Sequence, residues 1–133
     1  MSVSSYRTPL SRARGLGSAH NGVGRFISER ATSVALVPLS LWAVYGALAV
    51  GHTGYAGAVA FLQSPVNAVL AVLTIVVTAL HMKMGMQVII EDYLHQPASK
   101  IPALLLNSAV CWLAAALGAF SVLKVALLGV GAH

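Results

Sequence analysis

Long runs without charged residues dominate the chain and are separated by short polar breaks. No Asp, Glu, Lys or Arg occurs within residues 31–81 or 101–123. Charge-free apolar runs of about 18 residues or more are typical of helices that cross a membrane. A Gly-containing stretch, residues 51–64, divides the first run, and a polar break at 91–100 follows it. The pattern predicts an all-α membrane protein with three transmembrane helices, at about residues 32–50, 65–90 and 101–128.

The composition and the charge distribution agree with a membrane protein. The chain is 58% hydrophobic and 8% charged, whereas soluble domains contain about 25% charged residues. The formal net charge is +5, and five of the eight basic residues precede the first apolar run: Arg7, Arg12, Arg14, Arg25 and Arg30. We attribute this charge to membrane topology and not to nucleic-acid binding.

The basic residues also predict the domain organisation and the orientation. Residues 1–27 are expected to form a basic N-terminal cytoplasmic tail, and residues 28–133 a three-helix transmembrane anchor domain. Lys and Arg favour the cytoplasmic side, so the tail and the 91–100 break are placed there. The tail shares its composition with mitochondrial transit peptides. We nevertheless expect a retained tail near lipid headgroups, in a bacterial inner membrane rather than a mitochondrial one.

Local signals refine the three predicted spans. Ser28 is a candidate N-cap for the first helix, Pro65 suits the first turn of the second, and residues 51–64 are expected to be turn-like. Cys111 is expected to pack as a small hydrophobe. In the third span, small residues four apart would let helices approach closely: Ala114 with Gly118, and Ala115 with Ala119.

The second predicted helix ends in HMKMGMQVIIEDY, residues 81–93, where ionisable groups follow an apolar span. Such groups are costly in a membrane and usually mark a functional site. His81 and Asp92 return to nearly the same helix face, about 16 Å apart along the axis. Gly85, one turn from His81, leaves room for a flat group. His81 could bind a haem iron or another metal, relay protons, or form a hydrogen bond with a neighbouring helix.

Two cations and a tyrosine accompany His81. Arg30 and Lys83 are both expected near the cytoplasmic side of the membrane, where they would suit the carboxylates of haem propionates or, equally, anionic lipid headgroups. Tyr93 follows Asp92 where the helix leaves the bilayer. It is either a residue of the interfacial aromatic belt or a hydrogen-bond donor to a quinone carbonyl.

The segment HMKMGMQVIIEDY closely resembles the signature of the smaller hydrophobic anchor subunit (the D subunit) of succinate dehydrogenase, respiratory complex II. The segment GLGSAHNGVGRFISERATSV, residues 15–34, is similar to the lead into the first helix of that family. The three-span layout also fits. The resemblance covers about residues 15–128 and is closer to alphaproteobacterial and mitochondrial members than to enterobacterial ones.

The resemblance implies roles for individual residues. His81 would be an axial ligand to the iron of haem b, with the second ligand supplied by a histidine of a partner anchor subunit. Arg30 would lie near the haem propionates. Tyr93 would donate a hydrogen bond to ubiquinone, with Asp92 as its acidic neighbour. Lys83 has no fixed counterpart in the family, so its expected contact with the propionates depends on its charge alone.

The resemblance also implies the setting. The chain would be half of a two-subunit haem-binding bundle and a non-catalytic subunit of a quinone-reducing enzyme, in the electron transport chain and the tricarboxylic acid cycle. Its partners would be a second cytochrome b anchor subunit, an iron–sulfur subunit, a flavoprotein subunit, membrane lipid and quinone, with no nucleic acid. Three alternatives remain. The first is the anchor of a quinol:fumarate reductase, and the second is a small transporter or proton channel with His81, Lys83 and Asp92 along its path. The third is a structural assembly or scaffold protein with lipid-facing Lys and Arg.

Overall fold

A computed structural model describes residues 9–10 and 19–129 of the chain. Within 19–129 the chain forms helices and short connections, with no strand. The helices are α1 (Ala19–Gly51), α2 (Gly54–Gln63), α3 (Pro65–Tyr93) and α4 (Pro97–Leu128). α1, α3 and α4 are each long and apolar enough to cross a membrane. The all-α prediction with three spans is therefore confirmed.

The start of α1 differs from the predicted start of the first span. The helix begins at Ala19 instead of near residue 32, and contacts with α3 hold its polar first turns. Ser28 therefore lies inside α1 and is not an N-cap; its hydroxyl donates to the carbonyl of Gly24 at 2.9 Å. Helical residues 19–27 overlap the predicted tail, of which residues 1–8 and 11–18 lie outside the described residues. The division into tail and anchor domain stays a prediction.

Residues 51–64 were predicted to be turn-like, and this was wrong for most of the segment. Gly54 has φ +65°, a conformation that glycine tolerates, and α2 begins there. Val59 of α2 is only 7% exposed, and α2 packs against all three long helices. The glycines of this segment suggested a loop, but its apolar side chains supply a face that the bundle buries.

α3 is the central helix of the bundle. α1 and α4 each pack against α3, and within the described residues they do not pack against each other. α3 begins at Pro65, as predicted. A Cβ added at Gly118 of α4 would lie 3.0 Å from Cγ2 of Ile75 on α3, and Ala115 is only 5% exposed. The predicted close approach through small residues of the third span is thus confirmed at these two positions.

Little of the apolar surface is covered within the chain itself. Among the described residues, the buried hydrophobic ones are Leu39, Val59, Ala68, Cys111 and Ala115. The burial of Cys111 agrees with its predicted packing role. The long helices expose many large apolar side chains, and such continuous apolar surface is stable only against lipid or a partner protein.

Candidate functional site

An open groove lies between α1 and α3 beside His81. Its volume is about 400 Å³, and it is lined by Phe26, Glu29, Arg30, Ser33, His81, Gly85 and Val88. A Cβ built at Gly85 would meet no atom within 4 Å, so the absent side chain leaves space along the helix backbone. The predicted proximity of His81, Gly85 and Arg30 is therefore present, with apolar side chains beside them.

His81 is oriented by a threonine from the opposite helix. Nδ1 of His81 lies 3.1 Å from Oγ1 of Thr32 on α1. The same Oγ1 lies 2.9 Å from the carbonyl oxygen of Ser28 and 3.1 Å from that of Glu29. The hydroxyl has one proton and three possible acceptors within reach, these two carbonyls and Nδ1, so the tautomer of His81 decides which atom donates in the contact between the helices.

The charged residues of the groove are partly neutralised within the chain. The guanidinium carbon of Arg30 lies 5.2 Å from the centroid of the Phe26 ring, an orientation typical of a cation–π contact. Glu29 has its carboxylate 3.7 Å from Nε of Arg25. Arg25 also contacts Glu91 and so does not neutralise Glu29 in full. Among the residues that line the groove, Arg30 is the cation.

An ion pair joins the same ends of α1 and α3. Nη1 of Arg25 donates to Oε2 of Glu91 at 2.7 Å, and Nε2 of Gln87 donates to Oε1 of Glu91 at 2.9 Å. Both oxygens of the Glu91 carboxylate are thus satisfied. The ion pair connects residues 66 positions apart, so helical periodicity alone could not identify it. It sets the position of α1 beside the end of α3.

Lys83 is not among the residues that line the groove beside His81. Its ammonium nitrogen lies 5.6 Å from the centroid of the Trp112 ring on α4, and its backbone carbonyl accepts a hydrogen bond from Asn107 at 3.0 Å. Positions 81 and 83 differ by about 200° around a helix, so their side chains project in nearly opposite directions. Arg30 lines the groove beside His81. Lys83 lines a second groove between α1 and α3, with Thr32 and Gln87, and has its ammonium beside Trp112 of α4.

Asp92 and Tyr93 are the last two residues of α3. The side chain of Tyr93 is 80% exposed, and Asp92 is exposed as well. Twelve residues separate His81 from Tyr93, about 18 Å along the helix axis. The chain therefore presents both side chains at its surface without enclosing them, and any pocket around them needs another surface.

The groove offers two possible metal ligands, the imidazole of His81 and the carboxylate of Glu29. No cluster of three or more His, Cys, Asp or Glu residues able to hold a metal ion occurs in the described ranges. A haem requires at most two protein ligands to its iron. One imidazole beside an open groove with an arginine and an apolar wall fits half of such a site.

Comparison with known proteins gives one matching family model. Residues 4–122 match the family described as "Succinate dehydrogenase/Fumarate reductase transmembrane subunit". No solved structure matches the chain.

Curated relatives carry a consistent name. The chain is similar to a "Succinate dehydrogenase hydrophobic membrane anchor subunit" of Rickettsia bellii, with 32% identity over 67% of this chain and 71% of the relative. A protein of the same name from Paracoccus denitrificans is 30% identical over 96% of this chain and 95% of the relative. A third, from Rickettsia conorii, is 29% identical over 69% of this chain and 74% of the relative.

Proposed function

The chain belongs to the succinate dehydrogenase/fumarate reductase transmembrane subunit family, and we propose that, as a membrane anchor of that family, it supplies one axial ligand to a shared haem b. The anchor role follows from the family and from the three membrane-spanning helices. The ligand is His81, and the second ligand comes from a second cytochrome b anchor subunit.

The observation that carries the haem proposal is the groove between α1 and α3. It joins an imidazole, an arginine and a glycine in one open space. Thr32 at Nδ1 leaves Nε2 as the nitrogen for the iron, and Arg30 pairs with a propionate. Val88 and Phe26 provide apolar contact for the porphyrin ring. A haem b bound here would supply a one-electron carrier. Residues of this chain would hold and orient the haem, and Arg30 would partly neutralise the charge of its propionates.

The propionate role is proposed for Arg30 and not for Lys83. Lys83 lines a different groove between α1 and α3 and has its ammonium 5.6 Å from the centroid of the Trp112 ring. Reaching the groove beside His81 would require it to leave that contact. Its cation and the carbonyl hydrogen bond from Asn107 instead tie α3 to α4. Lys83 is therefore assigned to packing between these helices.

The quinone proposal concerns the exposed end of α3. Tyr93 donates its phenolic hydrogen to a carbonyl of ubiquinone, and Asp92 is its acidic neighbour. The exposure of both side chains supports a pocket completed by the second anchor and the iron–sulfur subunit. The Arg25–Glu91 ion pair fixes the last turns of α3, and so it limits where Tyr93 can lie.

The remaining partners and the location complete the proposal. The chain tethers an iron–sulfur subunit and a flavoprotein subunit in a bacterial inner membrane, with its N-terminus in the cytoplasm. Five arginines before the first apolar run support this orientation. Because the relatives described above are named for succinate dehydrogenase, the proposed direction is succinate oxidation with reduction of ubiquinone.

The haem proposal is tested with His81→Ala in the complex purified from membranes. The reduced-minus-oxidised spectrum is expected to lose or shift the b-type bands. His52→Ala is the matched control, since His52 is exposed and lies in the turn between α1 and α2. An unchanged spectrum in His81→Ala would reject the ligand assignment while leaving the anchor role intact.

The quinone proposal is tested with Tyr93→Phe. Succinate-to-quinone activity is expected to fall, while succinate-to-dye activity, which bypasses the quinone pocket, is retained. Tyr55→Phe serves as the control because Tyr55 is also highly exposed, at 71%, but lies on α2. An equal loss of both activities in Tyr93→Phe would indicate defective assembly and contradict the proposed contact.

A further inference from the structure

We infer that Thr32 is a positioning residue for the axial ligand: its hydroxyl accepts the Nδ1–H of His81, selects the tautomer with a free Nε2, and tunes the electron donation of the imidazole. This inference rests on the proposed haem ligation by His81. It adds a residue of α1 whose contact with the site is entirely through another side chain.

The local geometry defines which partner donates. Oγ1 of Thr32 has two carbonyl oxygens of its own helix within hydrogen-bond distance, at 2.9 Å from Ser28 and 3.1 Å from Glu29. A threonine hydroxyl carries a single proton, and back-bonding to carbonyls three and four residues earlier is its ordinary choice within a helix. Its lone pairs then face the Nδ1 atom 3.1 Å away. The imidazole is the donor in this contact.

With the imidazole as donor, the ring proton lies on Nδ1. A neutral imidazole carries one N–H, so a proton held at Nδ1 leaves Nε2 as the acceptor or metal ligand. Partners at the second nitrogen are the usual means by which proteins fix the orientation and raise the basicity of a histidine ligand. Thr32 therefore holds the ring between the helices before any group enters the groove.

The contact also restricts rotation of the ring. His81 is only partly exposed, and it lies on the central helix. Its partner is on α1, whose end is tied to α3 by the Arg25–Glu91 ion pair. The hydroxyl itself is held against its own helix by the carbonyls of Ser28 and Glu29. The packing of α1 on α3 therefore sets the distance between the hydroxyl and the imidazole.

Removing the hydroxyl is expected to change the midpoint potential of the haem iron more than the stability of the fold. Thr32→Val has nearly the same shape but no acceptor, so the imidazole loses its partner at Nδ1 and becomes a weaker donor at Nε2. A weaker donor stabilises ferric iron less, and the midpoint potential of the haem therefore rises. Thr32→Ser retains the acceptor and is expected to keep the potential of the unmodified complex.

The test uses redox titration and low-temperature electron paramagnetic resonance of the purified complex. Thr32→Val and Thr32→Ala are expected to raise the midpoint potential and shift the g values of the ferric haem, and Thr32→Ser to restore both. Thr74→Val is the matched control. Thr74 is also a half-buried threonine whose hydroxyl donates within its own helix, to Leu70 at 2.7 Å.

The outcomes separate this inference from the ligand proposal. Equal potentials and g values in all Thr32 variants would overturn the role of Thr32, and so would an equal shift in Thr74→Val. Loss of haem in Thr32→Val and Thr32→Ala, with retention in Thr32→Ser and Thr74→Val, would support it because occupancy then follows the hydroxyl. A haem spectrum unaffected by His81→Ala would reject the ligand proposal itself, and the Thr32 inference with it.

Discussion

Gly85→Leu distinguishes a cofactor groove from an ordinary space between two helices. Gly85 lies one turn from His81, and a Cβ at this position meets no atom within 4 Å in the described part of the chain. Leucine is also a better helix former than glycine by up to about 1 kcal/mol. The variant chain is therefore expected to fold, insert and assemble as the unmodified chain does.

The substitution is expected to weaken the binding of the group that occupies the groove. The new side chain would extend into the space of about 400 Å³ that His81 and Arg30 share. Forcing extra methyl groups into a well-fitted site typically costs about 1–3 kcal/mol. Since 1.4 kcal/mol is a factor of ten in affinity, the dissociation constant of the haem is expected to rise roughly 5- to 150-fold.

The assay measures haem retention directly. The purified complex is incubated with apomyoglobin as a haem acceptor, and the haem-to-flavin ratio of the complex is followed with time. Gly24→Leu provides the matched control, because Gly24 is equally open on α1 but does not line the groove. If Gly85→Leu retained haem as well as Gly24→Leu does, the assignment of this groove to the porphyrin would be refuted.

Two further predictions concern the packing of the helices. The Arg25–Glu91 contact of 2.7 Å joins side chains that are 31% and 29% exposed, so a double-mutant cycle of Arg25→Met and Glu91→Gln is expected to give a coupling energy of about 1 kcal/mol. In heat inactivation of the complex, this coupling corresponds to a roughly fivefold departure of the double variant's half-time from the value that the two single variants predict independently. Gly118→Val is expected to push α4 away from Ile75 of α3, at a cost of about 1–3 kcal/mol, and to lower the amount of assembled complex in membranes. Coupling near zero, or assembly of Gly118→Val equal to that of the exposed control Ala116→Val, would contradict these contacts.

The sequence predicted the spans because their cause is local. An apolar run long enough to cross a bilayer must satisfy its backbone hydrogen bonds internally, and a helix does this with no long-range information. Charge-free stretches therefore identified the three long helices, and Pro65 identified the start of α3. The first turns of α1 were missed because they are polar; their contact with α3 depends on Arg25 and Glu91, which lie 66 positions apart.

The site was predictable in part for the same reason. His81 and Gly85 lie on one face of one helix, so their spacing was enough to place them together. Thr32 was missed because its contact with His81 joins residues 49 positions apart, and nothing in its own helix distinguishes it from other threonines. The expectation that Lys83 faces the same group as Arg30 considered charge and depth, but not the rotation of about 200° between positions 81 and 83.

The central claim is that this chain anchors a complex II and supplies half of a haem site. The most direct measurement is affinity purification of the chain from native membranes, followed by a reduced-minus-oxidised spectrum of the eluate. The account predicts co-purification with a flavoprotein, an iron–sulfur protein and a second apolar chain, together with b-type haem bands that depend on His81. Recovery of the chain without these partners, or of the whole complex with bands that His81→Ala leaves unchanged, would contradict it.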